Sequence, residues 1–250
     1  MCLIAWNWQP DSETPLLLLA NRDEYYARAA RPVHWWTGDQ VLAGQDLQAG
    51  GTWLGVSRSG RLAAITNYRM PVNDLAPRPS RGTLVADFLK GDGNASDYLN
   101  ALALKADCYN PFNLLLFDGE YLLGLESRRR RVFSLLPGIG AVSNADFDTP
   151  WPKLTRLKTG LQNQCLTAKL QTQELLPLLQ DTTTVADALL PHTGVPLEVE
   201  RRLSATWIAS PGYGTRASSI VTWKRDSVSV FEQGYGEAGW LEATQHSFVL

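Results

Sequence analysis

Apolar residues run almost unbroken over positions 2–8, stop at Gln9, Pro10, Asp11 and Ser12, and resume over 16–22, which predicts a strand, a turn and a returning strand. Gly50 and Gly51 then open a strand over 52–57, and the turn at Arg58, Ser59 and Gly60 leads into another over 62–68, a second hairpin. The period changes after Ser80. Leu84, Val85, Phe88 and Leu89 recur at helical spacing up to about Lys90, and Leu99, Leu102 and Ala103 do the same behind Ser96, so each serine is a candidate N-cap. Strand patterns return over 112–117, 121–125, 132–135 and 139–143, with turns at Asp118 and Gly119 and at Pro137 and Gly138. Helical spacing follows over 152–163, 173–180 (limited by Pro177) and 185–190. Strands over 217–223, 228–231 and 245–249 close the chain.

Strands grouped in hairpins, with helices arriving in blocks, predict an α+β fold of mainly antiparallel sheet and argue against a regular βαβ series. No internal repeat or low-complexity linker interrupts the sequence, so a single domain over 1–250 is expected.

Composition narrows the function classes. Apolar residues make up 44% of the chain and aromatics 10%, with nine tryptophans, which excludes disorder as a description of the whole. Lys plus Arg number 23 against 25 acids, so no net positive field draws the protein to nucleic acid or an anionic membrane. The one charge block, Arg128 to Arg131, lies between short apolar runs and reads as a solvated hairpin end. No apolar stretch approaches the ~20 residues of a membrane span. The N-terminus lacks a basic segment followed by a long apolar one, so no secretory signal and a cytoplasmic location are expected.

Two glycine patterns imitate nucleotide sites. Gly234, Gly236 and Gly239 match GxGxxG with only eleven residues after them, and Gly212 and Gly214 precede a β-prone run where a phosphate-binding helix should begin. Neither is a dinucleotide site. Cys2, Cys108 and Cys165 are odd in number and widely spaced, and His34, His192 and His246 are scattered, so neither a disulfide framework nor a metal centre is expected.

Cys2 supports two readings. A thiol on a first strand packs as a small apolar group. Alternatively, removal of Met1 ahead of this small residue leaves a cysteine that carries both a thiol and an α-amine. With a pKa of roughly 7.7–8.0, that amine can accept the thiol proton, so one residue supplies nucleophile and base. The run Asn21, Arg22, Asp23, Glu24 is either a solvated strand exit or, if the first two strands pair, a set of charges beside Cys2. There a carboxylate would hold the α-ammonium and a guanidinium would favour the thiolate. Asn67 and Asn144 end strands and either begin turns or supply oxyanion donors. Arg216, at the head of a strand, either binds a carboxylate or is an ordinary strand-end charge.

Taken together, seven ordered stretches resemble the NRDE family, relatives of the eukaryotic transport and Golgi organization protein. They lie at 1–4, 19–25, 50–55, 64–68, 109–114, 143–153 (Ser143, Asn144 and Thr149 to Lys153) and 211–216. That family in turn resembles the N-terminal-nucleophile (Ntn) hydrolases with an N-terminal cysteine, which include penicillin V acylase and bile salt hydrolase. The resemblance implies a four-layer αββα sandwich of two mainly antiparallel sheets. It implies Cys2 as nucleophile, with Asp23, Asn67, Asn144 and Arg216 around it and Asn21, Arg22 and Glu24 in support. Arg22 and Asp23 are adjacent here, where those acylases place two residues between Arg and Asp.

The activity so implied is that of a hydrolase or acyltransferase on a non-peptide amide or thioester, needing no cofactor. The family's association with haem movement and acyl-CoA metabolism implies an alternative, a non-enzymatic carrier of haem or an acyl ligand. Its pocket would draw on His34, Trp35, Trp53 and Tyr68, with His34 the candidate haem ligand, although Trp35 and Trp36 also read as core or pocket wall. The partners implied are small molecules; oligomeric state is left open.

Overall fold

The computed structural model describes residues 2–38, 40–71 and 77–250. The first hairpin forms as expected: β1 (Cys2–Trp8) pairs antiparallel with β2 (Leu16–Tyr25). The chain then builds a second sheet in sequence order from β3 (Ala30–Trp35), β4 (Val41–Asp46), β5 (Leu54–Ser57), β6 (Arg61–Asn67), β7 (Phe112–Phe117), β8 (Leu122–Glu126) and β9 (Arg131–Ser134). It returns to the first sheet with β10 (Gly138–Val142), which pairs with the free edge of β1. After the two-residue β11 (Ala209–Ser210), β12 (Tyr213–Trp223) pairs with β2, and β13 (Ser227–Gly236) and β14 (Gly239–Val249) extend that side. All of these pairings are antiparallel.

Side chains on a strand alternate between its faces, and both faces of the first hairpin are apolar because both are covered. Ile4, Trp6, Trp8, Leu16 and Leu18 meet Leu42, Leu54, Val56, Leu62 and Phe117 of the second sheet. Leu3, Ala5, Leu17 and Leu19 pack instead on Leu154, Leu157 and Leu161 of α3 (Pro152–Leu166) and on Leu175 and Leu179 of α4 (Thr172–Leu179). Across the second sheet, α1 (Gly82–Lys90) and α2 (Ala95–Leu104) cover Ala43, Ala63, Ile65 and Leu114. The result is the αββα sandwich. Cys2, in phase with Ile4 and Trp6, belongs to the face between the sheets.

Several local expectations change. Asn94, and not Ser96, caps α2, accepting from the Asp97 N–H at 2.7 Å, and α1 starts behind Arg81 with no side-chain cap. Residues 185–190 form only a 3-10 turn at Asp187–Leu189. The strands β3 and β4 and the short helix α5 (Leu197–Arg202) lack a predicted counterpart. The glycines 234–239 belong to the β13–β14 hairpin. The arginine block turns between β8 and β9, where Arg129 pairs with Asp146 at 2.8 Å and Arg131 with Glu126 at 2.9 Å. Among the described residues, no helix is long and apolar enough to cross a membrane.

Candidate functional site

The β1–β2 register sets Cys2 directly opposite Arg22. Beyond this pair the two sheets part, and a cavity of about 300 Å³ opens between them. Cys2, Arg22 and Asp23 come from the first sheet; Trp53, Ile65 and Asn67 face them from the second; Arg78 and Arg81 approach from the segment that enters α1. The Arg22 guanidinium lies 4.5 Å from the Trp53 ring centroid, a cation–π contact across the cavity wall that Cys2 shares.

Gly50 and Gly51, singled out as a strand opening, have a structural role in this wall. Gly50 takes a positive φ of 76°. A Cβ on Gly51 would come within 2.4 Å of the Gly82 carbonyl carbon, so only glycine lets this loop pass against the start of α1.

Charge is unevenly distributed in the cavity. Arg28 is answered by Asp46 at 2.7 Å and by Glu24 at 3.8 Å. Arg22, Arg78 and Arg81 have no carboxylate within 4 Å among the described residues. Instead Arg81 donates to the Pro111 carbonyl at 3.0 Å and Arg78 to that of Tyr109 at 2.7 Å. Burial pushes the Cys2 thiol up; Asp23 and Glu24 push the same way, and Arg22 opposes them. Asp23 is buried at the end of β2 and accepts from Thr215 Oγ1 at 2.8 Å.

The remaining predicted residues divide into neighbours of the cavity and members of the frame. Asn67 lines the cavity, and its backbone carbonyl accepts from Asn144 Nδ2 at 2.8 Å, so Asn144 holds the end of β6. Ser143 Oγ donates to the Cys2 carbonyl at 3.4 Å. Asn21 faces the helix layer, where its amide donates to the carbonyls of Leu179 and Thr206, each at 2.8 Å. Arg216 projects at a bulge in β12 and donates to the carbonyls of Tyr25, Tyr26 and Arg28 at 2.9–3.1 Å, clamping the chain as it leaves β2. It does not line the Cys2 cavity.

Trp53 is a cavity wall, and Tyr68 lines an adjoining chamber of about 390 Å³. That chamber adds Met70, Val195, Val199, Leu203 and Pro211, and shares Glu24, Asn67 and Arg81 with the first. His34 and Trp35 lie on β3 away from both: His34 Nδ1 is 2.8 Å from the Pro32 carbonyl, and Trp35 lies under the Arg58 guanidinium and meets Phe248 edge-on. Among the described residues, no group of three or more His, Cys, Asp or Glu could hold a metal.

Sequence reasoning passed over Lys153, Arg69 and Glu200. Arg69 and Glu200 form a buried pair at 2.5 Å, with Arg69 stacked on Trp151 at 4.5 Å. Lys153 is fully buried, and burial pulls its proton affinity down to about 8 against the opposing charge of Asp23. One signal was available: Lys153, Leu157 and Leu161 recur every four residues, so the lysine lies in phase with the apolar face of its helix.

The Transport and Golgi organisation 2 family matches residues 1–237. The Transport and Golgi organization protein 2 homolog of Bos taurus is 32% identical, with 100% of this chain and 99% of that protein aligned. The Homo sapiens homolog is 33% identical over 93% of this chain and 92% of its own length. Among solved structures, a conjugated bile acid hydrolase mutant from Clostridium perfringens superposes with a TM-score of 0.57, at 10% identity, over 100% of this chain and 92% of that one. The Caenorhabditis elegans ortholog of N-acylethanolamine-hydrolyzing acid amidase gives 0.53 at 10% identity, over 88% and 92%. At such identity the likeness is one of fold, and the fold is that of the Ntn hydrolases.

Proposed function

The chain belongs to the Transport and Golgi organisation 2 family, and from that premise and the surroundings of Cys2 we propose that it is an Ntn hydrolase or acyltransferase acting on a non-peptide amide or thioester. The observation that carries this reading is the position of Cys2: at the start of β1, opposite Arg22, and at the wall of a cavity between the sheets.

Removal of Met1 would give Cys2 a free α-amine. As Sγ attacks the substrate carbonyl carbon, the thiol proton passes to this amine and the carbonyl oxygen takes up the negative charge. Asn67 and Asn110 both line the wall; of the two, Asn67 is the amide donor in this reading, and Asn144 positions it by holding its backbone. Collapse of the adduct expels the amine or thiol, which takes the proton from the α-ammonium. Water, or a second acceptor, then releases the acyl group from Sγ. Asp23 lies where it can orient the terminus, and Arg216 acts at a distance by fixing the exit of β2.

The chamber chemistry favours an anionic substrate with an apolar arm: among the described residues no carboxylate lies within 4 Å of Arg22, Arg78 or Arg81, and the adjoining chamber is largely apolar. The amidase and hydrolase likenesses among solved structures support an acyl-transfer reading of the same fold. A panel of acyl amides and acyl thioesters, with neutral and anionic leaving groups, tests the proposal. Turnover is expected in the wild type, stronger for anionic members, and lost in Cys2→Ala.

The apolar chamber also suits a second reading, a carrier that holds haem or an acyl ligand without turnover. In that case Cys2→Ala binds ligand as the wild type does and neither protein hydrolyses the panel. With His34 outside both chambers, the haem version further requires a saturable Soret change that survives His34→Ala.

A further inference from the structure

The cavity beside Cys2 holds cations that the bond-making steps above leave unused. Arg22 is 5% exposed and lines the cavity; it rests on the face of Trp53 and has no hydrogen bond or ion pair among the described residues. The segment entering α1 brings Arg78, Ser80, Arg81 and Gly82 into the same lining. There too the positive charge is kept. Arg78 donates to the carbonyls of Asp107 and Tyr109, and Arg81 to that of Pro111 at 3.0 Å, so neutral acceptors fix both side chains without cancelling them. α1 is nine residues long and starts without a side-chain cap, although the Gly82 N–H meets Ser80 Oγ at 3.3 Å, and its first turn adds positive potential at this wall.

The carboxylates of the lining are bonded elsewhere. Asp46 accepts from Arg28 and from the Gln48 and Ala49 N–H groups, Glu24 from the Tyr25 N–H at 2.9 Å, and Asp23 from Thr215 Oγ1 at 2.8 Å. A guanidinium withdrawn from water and left without an anion is destabilising, and packing on Trp53 does not require the charge. We propose that Arg22, Arg78 and Arg81, with the first turn of α1, form a binding site for a tetrahedral oxyanion of the phosphate class. A carboxylate presents its lone pairs in one plane. These donors come from β2 in one sheet and from the loop and helix start that pack on the other, which suits oxygens pointing in several directions. The inference deepens the anionic preference proposed above by naming the group and the residues that hold it, and Arg81, which lines both chambers, joins this site to the apolar one.

Binding is measured on the full chain carrying Cys2→Ala, so that the outcome does not depend on a nucleophile, by calorimetric titration with inorganic phosphate at constant ionic strength. One saturable phosphate per chain is expected, displaced by sulfate and not by acetate at the same concentration. Arg81→Gln and Arg78→Gln should each weaken it about tenfold or more. Arg129→Gln, in the β8–β9 turn outside the cavity, should leave it unchanged. Absence of saturation, equal displacement by acetate, or equal losses in Arg129→Gln and Arg81→Gln overturns the proposal. Should Arg81→Gln fail to fold, Arg78→Gln at the exposed rim and the order of the anions carry the same decision.

Hexyl phosphate separates the two sources of such a group. Tighter binding than inorganic phosphate assigns the oxyanion to a substrate whose apolar arm enters the adjoining chamber, and equal binding assigns the site to free phosphate. In the wild type, phosphate should slow iodoacetamide alkylation of Cys2, located by peptide mapping, with the midpoint of the calorimetric titration. Phosphate that binds Cys2→Ala and leaves alkylation of Cys2 untouched would lie outside this cavity and overturn the assignment. A chain that binds phosphate yet hydrolyses none of the amide and thioester panel would overturn the hydrolase reading and leave this site standing.

Discussion

Cys2 and Arg22 are directly opposed across the β1–β2 ladder, and the Arg22 guanidinium is held 4.5 Å from the centroid of Trp53 on the facing sheet. The cation opposite Cys2 is thereby positioned by both layers of the sandwich. A contact of this kind stabilises by ~0.5–2 kcal/mol, enough to bias the guanidinium toward the thiol. Arg22→Gln is expected to slow Cys2 alkylation at neutral pH by roughly threefold to tenfold, and Trp53→Leu to produce a smaller loss in the same direction. Alkylation rates at fixed pH check both.

Asn144 is expected to contribute to stability and catalysis together. Asn144→Ala removes the 2.8 Å bond to the Asn67 carbonyl at a fully buried position. A loss of about 1–3 kcal/mol in denaturant unfolding follows. Turnover in the remaining folded protein should fall at least about tenfold as Asn67 loses its position. Unchanged turnover per folded molecule would leave Asn144 with a packing role only.

Glu232 gives a pH-dependent stability. It is buried on β13, accepts from the Val33 N–H at 2.8 Å, and burial pushes its carboxyl up to about 7. Because the folded value lies above the unfolded one of about 4.3, its contribution is fully present below that lower value and is lost as pH rises through about 7. Glu232→Gln keeps an acceptor for Val33 and adds a donor for Ser219. It should flatten the decline in Tm between mildly acidic and mildly alkaline buffers and raise Tm on the alkaline side. A variant whose Tm follows the wild type at every pH would refute this.

Gly51→Ala is expected to destabilise strongly, because its Cβ would meet backbone 2.4 Å away, and backbone cannot rotate aside. Overpacking of this kind costs about 1–3 kcal/mol or more. Gly38→Ala would meet no atom within 4 Å and carries only the strain of its positive φ. Paired thermal melts of the two variants separate packing from backbone conformation.

The parts of the fold legible in the sequence are those whose burial is complete and periodic. β7 matches residue for residue, and β1 does so because both its faces are covered and apolar. β3 is an edge strand that exposes Arg31 and Pro32 and is interrupted by a register shift between Arg31 and His34, so it presents no alternation to read. At the site, the Cys2–Arg22 juxtaposition follows from hairpin pairing alone. Arg216 reads as a charge at the head of a strand, but β12 begins earlier, at Tyr213, and a bulge turns Arg216 onto backbone carbonyls that no local pattern foretells. Lys153 hid behind the ordinary expectation that a lysine near a helix start is solvated; it is buried where α3 packs on β1 and β10, the first of them remote in sequence.

The central claim, that Cys2 becomes an N-terminal nucleophile, is tested most directly by the intact mass of the purified full-length protein before and after incubation with an acyl thioester, followed by peptide mapping. The predicted result is a chain lacking Met1 that gains one acyl group, located on Cys2 and absent from Cys2→Ala. A chain that keeps Met1, or an acyl group confined to Cys108 or Cys165, would contradict it.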